Sequence, residues 1–195
     1  MLNKLPQNIK IRNKRYFINT DFRLMINFEK KMQEIELTEL KNEEIFYILK
    51  SFCPAFFKIK HKDMKSDIKL LINKLLWFYS CGNRKNYHKS KKSKTKIINN
   101  IFSYEYDDEF IWSAFYQYYR IDLSEDKLHW WKYMALFKSL PEECKFEKIK
   151  SYRSYKGNDE RMKKLKDYWN LPLNEKLQQE LEETTKMLLK YSKEV

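Results

Sequence analysis

Apolar residues along this chain recur mostly at helical spacing. Leu24, Met25, Phe28, Met32 and Ile35 fall on one face and predict a helix over 21–35. Asn19-Thr20-Asp21, just before it, carries side chains suited to an N-cap. Thr38 opens a second helix holding Leu40, Ile45, Ile48, Leu49 and Phe52. Pro54 ends it, because a proline ring disfavours helical backbone at its predecessor. Ile68, Leu71, Ile72, Leu75, Leu76 and Tyr79 make a wide apolar face, extended by Trp77 and Phe78 and stopped at Gly82. Asp107, Asp108 and Glu109 suit a helix start, since they face the positive end of the helix dipole. Phe110, Ile111, Ala114, Phe115, Tyr118 and Tyr119 form that helix's expected buried face.

Asp122 or Ser124 is the expected cap of the next helix. It carries Leu128, Trp131 and Ala135 on one stripe and Trp130, Met134 and Phe137 on its neighbour. Pro141 opens a turn and a short helix to Tyr155, and Asn158-Asp159-Glu160 caps another with Met162, Leu165 and Trp169. Two segments read differently. Residues 8–18 alternate apolar and polar around Asn13-Lys14, which predicts a β-hairpin that must lie on the helical body or a partner. After Pro172, Leu177, Leu181, Thr184, Leu188 and Tyr191 repeat at 4-3-4-3 spacing. That is a narrow seam for docking along another helix, its own or a neighbour's. The expected fold is mostly α: a multi-helix bundle with a short N-terminal β-hairpin. Its organisation is one helical domain over 1–170 and a C-terminal docking helix over 171–195.

Composition narrows this further. The 195 residues include only two glycines, Gly82 and Gly157, and a single valine, Val195. Phosphate-cradling loops need several residues free of Cβ, so that class of site is nearly excluded. Sandwiches and barrels are disfavoured by the same scarcities. The net charge of +13 invites a nucleic-acid reading. Yet 33 of the 40 basic residues are Lys and 7 are Arg, the type that recognises phosphates and bases bidentately. The skew toward Lys, Asn, Ile, Tyr and Phe also matches an A/T-rich coding bias. Seven of the charges, Arg84, Lys85, Lys89, Lys91, Lys92, Lys94 and Lys96, lie in one stretch without an acid. Residues 82–100 are therefore expected to be a solvated, mobile loop and are the candidate basic patch.

Little of the chemistry coheres into an active site. Cys53, Cys81 and Cys144 show no paired spacing, and their odd number fits reduced thiols. His61, His88 and His129 stand far apart, so no metal or other cofactor is expected. No apolar run reaches the length of a membrane span, and Met1 leads into Asn3, Lys4 and Pro6 without a signal-like segment. Glu105, Asp107, Asp108 and Glu109 offer paired carboxylates, but helix-start charge accounts for them. His129 three residues after Asp126 has the spacing of an oriented base on a helix, although no nucleophile or oxyanion loop accompanies it. Tyr116, Tyr118, Tyr119, Trp130 and Trp131, with lysines between, are base-stacking types whose helical spacing fits a core.

Two stretches carry a resemblance. The first is Ile18-Asn19-Thr20-Asp21-Phe22-Arg23. The second runs from Tyr106-Asp107-Asp108-Glu109 through Ala114-Phe115-Tyr116-Gln117 and Tyr119-Arg120-Ile121-Asp122-Leu123 to Leu128-His129-Trp130-Trp131-Lys132. It continues through Leu136-Phe137-Lys138-Ser139-Leu140-Pro141 to Tyr152-Arg153-Ser154. Over roughly residues 5–170 the order resembles a bacteriophage family of low-G+C Gram-positive hosts, encoded in the tail module beside the tape measure gene.

The resemblance implies a tail assembly chaperone: non-enzymatic, free of cofactors, and working in the cytoplasm of the bacterial host. The implied partners are the tape measure protein and the major tail protein, with self-association and no membrane. The residues that carry the resemblance are Asp21, Phe22, Arg23, His129, Trp130, Trp131 and Arg153, for which structural roles are expected. Leu177, Leu181 and Leu188 are the candidate docking seam. The dense basic stretch and the long tail after Pro172 depart from the family pattern. The alternatives are a basic nucleic-acid-binding phage protein and a structural tail component retained in the virion.

Overall fold

A computed structural model of the chain describes residues 5–34, 42–82 and 101–172. It begins with an antiparallel hairpin, β1 (Asn8–Ile11) and β2 (Lys14–Phe17), paired from Asn8↔Phe17 to Ile11↔Lys14. Alternation turns Ile9, Ile11 and Tyr16 inward. The turn is Arg12-Asn13, one residue earlier than the sequence suggests, with Arg12 at a left-handed φ of 49°. A tertiary contact offsets that strained position: the Arg12 guanidinium reaches Asp67 at 2.5 Å. Local turn preference cannot show such a partner.

The helical body follows: α1 (Phe22–Glu34), α2 (Asn42–Phe52), α3 (Met64–Tyr79), α4 (Asp108–Tyr119), α5 (Trp130–Lys138), α6 (Lys145–Ser154) and α7 (Glu160–Tyr168). The fold class is therefore mostly α with a short two-stranded hairpin. The predicted α1, α3, α4 and α7 lie within a few residues of their expected spans. Thr38, the basic stretch and the Leu177, Leu181 and Leu188 seam lie outside the described residues. Pro54 does more than end α2. It opens a 3₁₀ turn, Pro54–Lys58, which buries Phe56. Proline's fixed φ and missing N–H suit a first helical position, so the breaker is also a starter.

The start of α5 corrects the sequence reading. His129, not Asp122 or Ser124, is its N-cap. The Asp122 carboxylate accepts from the Ser124 amide and hydroxyl, and the Asp122 amide donates to Asp126. These short polar side chains close a turn of their own, which competes with capping. The buried face of α5 is then Trp130, Tyr133 and Phe137, with Ala135 exposed. Tyr118 is also exposed, at the last turn of α4.

The core is built largely of rings. Tyr133 stacks against Phe22 at 4.8 Å, Phe115 at 5.0 Å and Trp130 at 5.7 Å, and Trp130 stacks on Tyr79 at 5.8 Å. Such contacts add roughly 0.5–1.5 kcal/mol each beyond area burial. An ion pair is drawn into this interior. Asp107, fully buried before α4, receives a two-pronged fork from Arg153 of α6 at 2.6 and 2.9 Å. The Ser103 amide also donates to Asp107, and Arg153 also donates to the Trp169 and Ile101 carbonyls. The start of α4, the 101–103 segment, α6 and the end of α7 meet on this pair.

Removing one partner strands the other charge in a dry site. Asp107→Ala or Arg153→Ala is expected to cost about 3–5 kcal/mol in urea unfolding at neutral pH. Asp107→Leu with Arg153→Met is expected to cost less than either single change. A double variant no better than the singles would assign the pair a positive stabilising role of its own.

Candidate functional site

Six of the seven residues that carry the resemblance converge in space, and the seventh, Arg153, stands apart on Asp107. The Phe22 amide donates to the Leu128 carbonyl at 3.0 Å, and the Trp130 amide to the Thr20 carbonyl at 2.8 Å. Asp21 and His129 thus form an isolated antiparallel bridge between two distant segments. Arg23 closes it from the side. Its guanidinium pairs with Asp21 at 3.1 Å and donates to the carbonyls of Leu123, Ser124 and Asp126. It also lies 4.7 Å from the centre of the Phe22 ring. Five donors in a rigid fork are what such a set of carbonyls requires.

His129 has a structural role here. Its Nδ1 accepts from the Trp131 amide at 3.1 Å, and its Nε2 faces the Pro6 carbonyl at 2.9 Å. Nε2 therefore carries the hydrogen, in a neutral ring. Asp126, the expected orienting carboxylate, bonds Asp122 instead. The two adjacent indoles finish α3: Trp130 donates to the Tyr79 carbonyl and Trp131 to that of Phe78. These carbonyls lie in the last turn of α3, and that of Phe78 also accepts from the Cys81 amide at 3.1 Å. The chain then leaves through Cys81 and Gly82, at φ of 52° and 81°. A Cβ on Gly82 would stand 3.2 Å from the Trp131 ring, so glycine serves both the backbone and the indole.

Beside this junction lies a polar depression of about 600 Å³, bordered by Asn19, Asp21, Arg23, Asn27 and Lys127. Its two strongest charges, Asp21 and Arg23, neutralise each other. The larger feature is a groove of about 740 Å³. Phe22, Ile26 and Lys30 of α1 form one wall, and Ile111 and Trp112 of α4 the other. Trp112 stacks on Tyr116 one turn along, at 5.4 Å and 8°, and both are exposed at 40% and 48%. The Trp112 indole is oriented by a hydrogen bond to Asp122. Sequence reasoning weighed Tyr116 but missed Trp112. The available signal was their i, i+4 spacing on the outward face of α4.

Under the groove sits a polar cluster. The Tyr133 hydroxyl faces Tyr104 without closing a hydrogen bond, and burial pushes both phenols above their ordinary range. Burial also pushes the Glu29 carboxyl up, against the opposing hydrogen bond from Tyr79. The paired acids expected on α4 are separated in role. Asp107 is locked by Arg153, while Asp108 and Glu109 are exposed. Of the candidate stacking residues, Trp130 is fully buried, Trp131 and Tyr119 are half-buried, and Tyr116 and Tyr118 face outward. Among the described residues no group of three or more His, Cys, Asp or Glu is placed to hold a metal, and no helix is long and apolar enough to cross a membrane.

The Glu29 environment has a pH signature. A carboxyl with a raised folded pKa favours the protonated native state. Stability therefore falls as pH rises from the unfolded glutamate value of about 4.3 through the folded value. Glu29→Gln keeps an acceptor for Tyr79 and removes this loss. It is expected to be more stable than wild type at pH 7 and equal to it below pH ~4, read by urea titration. A lower stability at pH 7 would contradict this.

No curated protein and no solved structure matches the chain. A family model does match, and it spans both motif blocks as well as the hairpin and α7. Over residues 1–182 the sequence fits the model described as Bacteriophage Gp15 protein, and the chain belongs to that bacteriophage family.

Proposed function

We propose that this protein is a non-enzymatic tail assembly chaperone that binds the tape measure protein during phage tail morphogenesis. The single observation that carries the reading is the groove between α1 and α4, lined by the half-exposed Trp112, which stacks on the exposed Tyr116. A long helical client with uncovered apolar stripes needs a surface that accepts large side chains without fixing one sequence. Grooves between helices take amphipathic helices through apolar anchors at i, i+3, i+4 and i+7. A volume of about 740 Å³ suits a few such anchors. Exposed stacked rings are typical binding hot spots, since they bury large area with little side-chain entropy to lose. Membership of a bacteriophage family supports the phage context.

Co-expression with the tape measure protein encoded beside it is expected to give co-purification and a larger soluble fraction of that protein. The double variant Trp112→Ala/Tyr116→Ala is expected to weaken capture at least about tenfold, with the far-UV spectrum of the wild type showing that it remains folded. Failure of the wild type to capture or solubilise the client would end the chaperone reading. Unchanged capture by the variant would move the docking surface elsewhere.

A second reading rests on the seven basic residues at 84–96. A nucleic-acid-binding role predicts an affinity that falls steeply with salt, with a log–log slope of several units. Deletion of 84–96 is expected to flatten that slope. A deletion variant that binds nucleic acid as the wild type does would remove this reading.

A further inference from the structure

His61 lies where the hairpin tip, the Pro54–Lys58 turn and the start of α3 meet. Its side chain is 3% exposed. Nδ1 stands 2.8 Å from an Asp67 carboxylate oxygen, and Nε2 stands 2.8 Å from the Phe56 carbonyl oxygen. The ring also packs on the Phe56 ring, with centroids 4.0 Å apart. Both nitrogens thus face oxygen acceptors. A carbonyl has no proton to give. The Asp67 carboxyl is held below the usual range by hydrogen bonds from Arg12 and His61, so it too acts as an acceptor. A ring that makes both bonds must carry both N–H groups, and with them a positive charge. His129 is the internal contrast, with one nitrogen donating and one accepting.

We propose that His61 is a buried imidazolium that latches the Pro54–Lys58 turn onto α3, and that loss of one ring proton to solvent opens this latch. A neutral ring keeps one hydrogen. The bond to the carboxylate is the stronger, so the remaining hydrogen stays on Nδ1. The Nε2 lone pair then faces the Phe56 carbonyl oxygen, and two acceptors oppose each other in a dry site. What loosens is the Phe56 segment. The Asp67 carboxylate itself stays paired with Arg12.

The charged and titratable groups around His61 come from three elements. From the hairpin come Arg12 and Tyr16, whose phenol is pushed up by burial and by Asp67. From the turn come Cys53, pushed up by burial, and Lys58. From α3 come Asp63, its N-cap, and Asp67. Lys60 and Lys62 flank His61 and are exposed. Phe56 passes the change on, because its ring also touches Tyr16 of β2.

The test uses the full chain labelled with ¹⁵N, followed by NMR between pH 5 and 9. At the acid end, His61 is expected to give the matched ring-nitrogen shifts of an imidazolium and two slowly exchanging ring hydrogens. As His61 loses its proton, the Phe56 amide is expected to exchange about tenfold faster after correction for base catalysis, while the Met25 amide in α1 does not. His61→Gln is expected to abolish that linked change. A neutral His61 throughout, or a Phe56 amide that tracks Met25 across the transition, would overturn the proposal. Both readouts come from the wild type, so they stand even if the variant does not fold.

Discussion

Two backbone hydrogen bonds, Phe22 to Leu128 and Trp130 to Thr20, hold this molecule's halves together. Each is worth only about 1 kcal/mol net, but leaving its groups buried and unpaired costs about 1–3. Their larger effect is positional. They place the first residues of α1 and α5 side by side, so Phe22 meets Tyr133 and the ring stack can form. They bring Trp130 and Trp131 to the end of α3, where the indoles donate to two terminal carbonyls. They also present His129 to Pro6, which fixes the chain just ahead of β1. Arg23 ties the α4–α5 connection to this bridge across one hundred residues of sequence.

Ionic junctions then fasten what the bridge does not reach. Asp107 gathers the 101–103 segment and α6, and Arg153 adds the end of α7. Asp67 gathers the hairpin tip and the Pro54–Lys58 turn through Arg12 and His61. The Asp67 junction holds one sharp turn of a glycine-poor chain, at Arg12. Arg12 and Arg120 occupy left-handed positions where glycine is the easier choice. Gly82 is placed at a left-handed φ, where a Cβ would also crowd the Trp131 indole at 3.2 Å.

The helices were legible where one interaction dominates. The wide face of α3 and the Asp159 cap of α7 are local signals, and both hold. Misreadings arose where two local signals competed or a distant partner decided. Asp122 and Ser124 offered capping chemistry but closed their own turn, leaving the cap of α5 to His129. The hairpin turn moved by one residue because Arg12 has a partner 55 residues away. Motif residues could be flagged in the sequence, but their roles could not. A backbone bridge between Asp21 and His129 leaves no trace in periodicity. The groove was hidden for a similar reason: it exists only once α1 and α4 are placed opposite each other.

Frame and open surface are built from different residues. Asp21, Phe22, Arg23, His129, Trp130 and Trp131 build the frame, and the exposed Trp112 and Tyr116 lie on the outward side of α4. Native-state hydrogen exchange tests the frame most directly. The Phe22 and Trp130 amides are predicted to exchange only through global unfolding, with an opening free energy equal to that from urea denaturation. Exchange of these two amides through a much cheaper local opening, with the Leu71 and Phe115 amides still protected, would contradict the account.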